Sequence, residues 1–223
     1  MTKHFHRDLE DIKKEILVLG AMVEEALSKA TTALTERRPD LAAGVVDEDA
    51  QIDGMEVRVE EECLKVLALH QPVALDLRFV VMVIKVNSDL ERIGDHAADI
   101  AQRAIALGAE PAIPLIPAFP AMVHKVRDMV RDCLDALVNV DTDVARRICA
   151  DDDVVDGHLR EMFAYLEGLM KREPATIERA ISTLSACRHL ERVADLATNI
   201  AEDVLFMAEG EIVRHRMAEP DQT

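Results

Sequence analysis

Glu91 and Asp95 stand four residues apart in DLERIGDHAADIA (89–101), and Glu191 and Asp195 stand four apart in HLERVADLATNIA (189–201). Seven of the 13 positions agree at an offset of 100. A second recurrence, DAQIDG (49–54) with DDVVDG (152–157), repeats Asp49/Asp53 as Asp152/Asp156 at an offset of 103. On a helix, positions i and i+4 share a face, so each pair would present two carboxylates side by side. Oxygen-only donor sets of this kind, with no Lys or Cys among them, suit hard cations such as Mg2+, Ca2+, Mn2+ or iron.

Recurrence carries the information here, because the spacing alone does not. With 43 Asp and Glu in 223 residues, composition predicts about eight acidic i, i+4 pairs, and nine occur, including Asp11/Glu15, Glu56/Glu60 and Asp128/Asp132. Like charges at this spacing cost a few tenths of a kcal/mol per pair, and Asp is a poor helix former. Glu91, Asp95 and Asp99 fall within an arc of about 80° at 100° per residue, opposite Leu90, Ile93, Ala97, Ile100, Ala101 and Ala104. If neighbouring helices run antiparallel, Asp49/Asp53 would meet Glu91/Asp95 across a groove. Asp99 would extend that set, and Asn199 in the matching place makes the second set less charged. His96 could add a nitrogen ligand, but its counterpart is Leu196, so it reads as an ordinary helix residue. Arg92 and Arg192 recur beside the acids, either bridging to a neighbouring helix or holding the carboxylates in position. The residues alone leave two readings open: cation sites, or a solvated acidic face kept from a duplication.

The elements that must position these groups are helices. Apolar residues recur at i, i+3, i+4 and i+7 between a few Pro- and Gly-marked breaks, predicting six helices at about 5–37, 40–70, 74–107, 118–139, 143–172 and 175–208. GAEPAIPLIP (108–117) holds four breakers in ten residues and divides them three and three. The expected fold is all-α, two tandem three-helix bundles at 1–108 and 118–210, joined by a Pro-rich linker at 109–117 and followed by a polar tail at 211–223. The bundles would lie end to end or side by side.

Composition narrows the function. A net charge of −17 without a Lys/Arg cluster argues against a nucleic-acid partner. Cations or basic protein surfaces fit better. The four cysteines, Cys63, Cys133, Cys149 and Cys187, have no CxxC or zinc-type spacing and read as reduced thiols of a cytoplasmic protein. The charged start MTKHFHRDLEDIKKE lacks a secretory apolar stretch, and no uninterrupted apolar run comes near the about 20 residues of a bilayer span.

The stretch 71–104, through Gln71-Pro72-Val73-Ala74, Asp76-Leu77-Arg78 and Asp89-Leu90-Glu91-Arg92-Ile93-Gly94-Asp95-His96, resembles the phosphate-uptake regulator family PhoU. The likeness extends more weakly across both halves to about residue 210. It implies two similar three-helix bundles whose E/D-x-x-x-D motifs bind metal ions, here at Asp49, Asp53, Glu91, Asp95, Asp152, Asp156, Glu191 and Asp195. The ions implied are divalent or ferric (Mg, Mn, Fe, Zn or Ca). It also implies a cytoplasmic negative regulator linking a phosphate ABC transporter ATPase to a sensor histidine kinase. Attachment to the membrane would be peripheral, through those partners. The residues themselves, with no nucleophile beside a base and no Gly-rich phosphate loop, read as an interaction protein rather than an enzyme, and exposed apolar helix stripes would serve a homodimer. The competing readings are a metal-carboxylate hydrolase or oxidase and a metal-free helical scaffold. Ferritin-like di-iron sites need Glu-x-x-His, and none of the eight histidines has a Glu three residues before it.

Overall fold

The computed structural model describes residues 3–209. The polar tail expected at 211–223 lies outside the described residues. Six helices follow in order: α1 (Lys3–Glu36), α2 (Pro39–His70), α3 (Ala74–Gly108), α4 (Ala118–Asn139), α5 (Thr142–Arg172) and, after a 3-10 turn at Pro174–Thr176, α6 (Ile177–Glu209). Every expected helix is present, and each end lies within two residues of the sequence reading.

Local chemistry sets these ends. Pro39 opens α2 at a position whose missing N–H costs nothing, after Arg37 turns the chain at φ 58°. Gln71 closes α2 in the left-handed region, φ 47°, with its N–H donating to the Leu67 carbonyl at 3.2 Å, and Pro72 forbids continuation. Asp141 caps α5 by accepting from the N–H groups of Asp143 and Val144, both at 3.1 Å.

The linker is pinned rather than loose. The Arg37 guanidinium donates to the carbonyls of Leu107, at 2.8 Å, and Glu110. Arg179 on α6 donates to the Pro111 carbonyl at 2.8 Å, and the Tyr165 hydroxyl on α5 donates to that of Pro114 at 2.6 Å.

The helices form two three-helix units, α1–α3 and α4–α6, and the units lie side by side. Their seam is α3 against α6. Lys85 pairs with Asp203 at 3.0 Å and His96 approaches His189, so moving forward along α3 moves backward along α6. The two helices are antiparallel. On one side α1 meets α4 closely enough that a Cβ on Gly20 would sit 2.6 Å from Leu134 Cδ2, and Arg127 donates to Ser28 Oγ at 2.8 Å. On the other side α2 and α5 do not touch, which leaves the α3/α6 seam open along that face.

A consequence is that the units share one core. The face of α3 opposite the acids, Leu90, Ile93, Ala97, Ile100, Ala101 and Ala104, is buried, and so are its counterparts Leu190, Val193, Ala197, Ile200 and Ala201 on α6. All belong to a single apolar cluster running through both units. Each such Leu or Ile contributes about 1.5–3 kcal/mol on burial. Cys63, Cys133 and Cys187 are buried and Cys149 half-buried, all as free thiols, and burial pushes Cys63 up to about 12. Among the described residues no helix is long and apolar enough to cross a membrane.

Candidate metal centre

Asp49 and Asp53 sit in the second quarter of α2, and Glu91, Asp95 and Asp99 in the second half of α3. Antiparallel packing brings the two sets together. One carboxylate oxygen each from Asp49, Asp53 and Asp95 lies within 4.8 Å of the others. Glu91 stands outside this triad yet within its field. Burial raises the pKa of Glu91, Asp95 and Asp49, and neighbouring carboxylates add to each: Asp95 and Asp53 on Glu91, Asp53 and Asp99 on Asp95, Asp95 and Asp53 on Asp49.

The close approach depends on Gly94. A Cβ there would lie 3.0 Å from Ile52 Cγ2 and 3.2 Å from its Cδ1. Ile52 sits between Asp49 and Asp53, so the glycine lets α2 and its carboxylates settle against α3. The matching positions of the second half hold Ala194 and Val155, both buried, with one methyl moved from one position to the other.

In the second half Asp152 and Asp156 lie on α5 and Glu191, Asp195 and Asn199 on α6. Among the described residues no three of these acids approach as tightly as the first triad. Their mutual repulsion is nonetheless large. Burial, then Asp195 and Asp156, pushes Asp152 up to about 6. Burial, then Glu191 and Asp156, pushes Asp195 up to about 6 against the pull of Arg192. Burial and Asp156 raise Glu191, again against Arg192.

The recurrent acids differ from two of the non-recurrent pairs, Asp11/Glu15 and Asp128/Asp132, in lacking a cationic partner. Asp11 pairs with Lys14 at 3.1 Å and Glu15 with Arg58 at 2.5 Å. Asp128 and Asp132 are both held by Arg131, at 2.8 and 3.3 Å, and Asp132 also by Arg147 at 2.9 Å. Within the described residues no Lys or Arg nitrogen comes within 4.0 Å of Asp49, Asp53, Glu91 or Asp95, and in the second set only Asp156 has one, Arg160 at 3.7 Å. In Glu56/Glu60, a pair that does not recur, Glu56 is raised in the same way, by burial and by Glu60 and Asp53, so it is recurrence and convergence, not bareness alone, that mark the set. Such a donor set fits a hard cation, whose charge would relieve the repulsion.

Arg92 and Arg192 do not bridge to these carboxylates as salt-bridge partners. Arg92 reaches Asp89 at 3.3 Å on its own helix. Both arginines line a groove of about 400 Å3 over the α3/α6 seam, together with Asp95, His96, Asp195, Leu196 and Asn199. One carboxylate of each set, Asp95 and Asp195, therefore lines the same groove.

His96 does not behave as an ordinary helix residue. Its Nδ1 lies 3.4 Å from His189 Nδ1, and Asp99 Oδ2 lies 3.8 Å from the first ring and 3.4 Å from the second. Burial lowers the pKa of both imidazoles, against the pull of Asp99. The sequence signal was the register of the repeat itself: His189 opens the second copy where Asp89 opens the first.

Comparison with known proteins agrees with this architecture. The family model described as the PhoU domain matches twice, at residues 16–104 and 119–204. A relative from Pseudomonas putida, described as phosphate-specific transport system accessory protein PhoU homolog, is 38% identical over 218 residues, spanning 96% of this chain and 84% of its own. The phosphate-specific transport system accessory protein PhoU of Escherichia coli is 34% identical over 219 residues, spanning 96% and 91%. The crystal structure of PhoU from Pseudomonas aeruginosa superposes with a TM-score of 0.90 at 36% identity, covering 93% of this chain and all of that one. With the domain matched in both halves and the likeness running nearly end to end, the chain belongs to the PhoU family.

Proposed function

We propose that the chain is a regulatory accessory protein of a phosphate-specific transport system, and that cations held by its carboxylate sets keep it in a partner-competent shape. The relatives named for that system match over 96% of the chain, which supports the regulatory role. The observation that carries the cation reading is the convergence of Asp49, Asp53 and Asp95 within 4.8 Å of one another, with no Lys or Arg nitrogen beside them among the described residues. In this reading Asp49, Asp53 and Asp95 hold one ion with Glu91 beside them, and Asp152, Asp156, Glu191 and Asp195 hold another. Asp99 and Asn199 flank the two sets.

The finer role is that of a cytoplasmic negative regulator, docking between the transporter ATPase and a sensor histidine kinase when phosphate is plentiful. It acts by docking rather than turnover. Asp95 and Asp195, one from each set, line an open groove where water is not excluded, and long helices offer exposed apolar positions for partners or a second copy, among them Val57 and Leu64 on α2.

Metal content per chain, measured by mass spectrometry on untagged protein purified without chelator, tests the cation half of the reading. The wild type carries close to one or more ions per half, and E91Q/D95N loses about half of them. Chains that stay empty after incubation with Mn2+, Fe2+ and Mg2+ would sink it. In cells, removing the gene raises transporter transcripts in abundant phosphate; wild type restores them and E91Q/D95N does not. Unchanged transcripts on removal would refute the regulatory half.

A further inference from the structure

We propose that His96, His189 and Asp99 form a third metal site, for one transition-metal ion of the zinc class, built across the α3/α6 seam and distinct from the oxygen-only sets. The three facing atoms are His96 Nδ1, His189 Nδ1 and Asp99 Oδ2, separated by 3.4, 3.4 and 3.8 Å. As hydrogen bonds these are poor, since N–H donors normally approach within about 3.2 Å. As edges of a coordination shell the two 3.4 Å separations are of the right length, and the 3.8 Å edge from His96 to Asp99 is a few tenths of an ångström long. Nitrogen and oxygen ligands sit about 2.0–2.2 Å from Zn2+, which places neighbouring tetrahedral ligands about 3.3–3.5 Å apart. The point equidistant from the three atoms lies about 2.05 Å from each.

The chemistry differs from that of the carboxylate sets. Two imidazole nitrogens and one carboxylate favour zinc, cobalt, nickel or iron over magnesium or calcium. The histidine side chains are only 15% and 14% exposed, so packing holds the rings in place. His96 also lines the groove, giving an ion a way in and leaving room for water as a further ligand. The set occurs once. Its positions in the duplicate register hold Leu196, Asp89 and Asn199, which cannot assemble it, and Asp89 is engaged by Arg92.

An ion here would tie α3 to α6, and so one unit to the other. Arg92, Arg103 and Arg192 lie close enough to act on these imidazoles and disfavour a bare cation. Binding is therefore measured at about 0.3 M salt, where that repulsion is screened.

The test is a Co2+ titration of the full, chelator-stripped chain, followed by visible absorption, with Zn2+ as competitor. The wild type gives intense d–d bands that saturate at one Co2+ and are abolished by one equivalent of Zn2+. H189N and H96Q weaken the Co2+ affinity by about 100-fold, while D49N/D53N keeps the bands, which separates this site from the carboxylate sets. Circular dichroism of the metal-free variants checks that each still folds. Wild-type bands that persist unchanged in both folded histidine variants, or only the weak bands of a six-oxygen shell in the wild type, would overturn the proposal.

Discussion

Replacing Asp152 by Asn should stabilise the metal-free protein and destabilise it, relative to wild type, once a cation is added. Asp152 is pushed from 3.8 up to about 6 by burial and by Asp195 and Asp156. Each pK unit corresponds to about 1.4 kcal/mol, so the shift has an upper bound of about 3 kcal/mol. Asp152 is only half-buried, and solvent screening reduces this to about 1–1.5 kcal/mol. Asn has the same shape without the charge, so D152N gains that amount at pH 7.5. For a chain of this size the melting temperature rises by about 2–5 °C. The sign follows from linkage. The unfolded carboxyl titrates near 3.8 and the folded one near 6, so the wild type loses stability as pH rises through that window. The advantage of D152N is full above about pH 7 and disappears toward pH 4. Saturating cation reverses the order, because a ligand present at 100 times its Kd adds about 2.7 kcal/mol to the form that binds it. Urea denaturation followed by circular dichroism, in chelator and then in excess Mn2+, measures both arms. A metal-free D152N less stable than wild type at pH 7.5 would refute the repulsion argument. Equal responses of the two proteins to Mn2+ would refute the cation.

Gly94→Ala should cost about 1 kcal/mol, the crowding against Ile52 outweighing the helix-propensity gain of Ala, and adding Ile52→Val should recover most of it. A double-mutant cycle with no coupling between the two positions would show that they do not interlock. Asp141→Ala removes the two accepted N–H bonds that start α5 and should lower stability by about 1 kcal/mol in urea denaturation. Arg37→Ala combined with Arg179→Ala frees the carbonyls of residues 107–111, so limited proteolysis within 109–117 should accelerate several-fold; an unchanged cleavage rate would mean that Tyr165 and the helices alone hold the linker.

Most of the fold is legible because it is local. The breaks at Pro39, Gln71-Pro72 and 108–117 and the apolar stripe from Leu90 to Ala104 each follow from residues within a turn or two of one another. The carboxylate sets are legible through the repeat, which singles out Asp49, Asp53 and Asp95 from acids with the same spacing. The α3/α6 seam is not. Periodicity says that Ile93 and Val193 face inward, but not that their helices face each other, and the merged core depends on that. The pairing of His96 with His189 is out of the sequence's reach for the same reason. They are 93 residues apart, in different halves, and only the antiparallel crossing of the two repeated helices puts them side by side. Asp203, buried and paired with Lys85 across this seam, carries no sequence mark beyond its acidity.

The antiparallel seam bears on what a tandem repeat permits. Two separate, identical three-helix chains joined by the same crossing would form every seam contact twice, once on each side of the twofold axis. Here the contact between Lys85 and Asp203 has Arg103 and Ser185 in the mirrored places, and that between His96 and His189 has Leu196 and Asp89. Carrying both copies on one chain breaks that symmetry. Each side of the seam becomes separately addressable by mutation, and one half can specialise while the other keeps only its share of the packing.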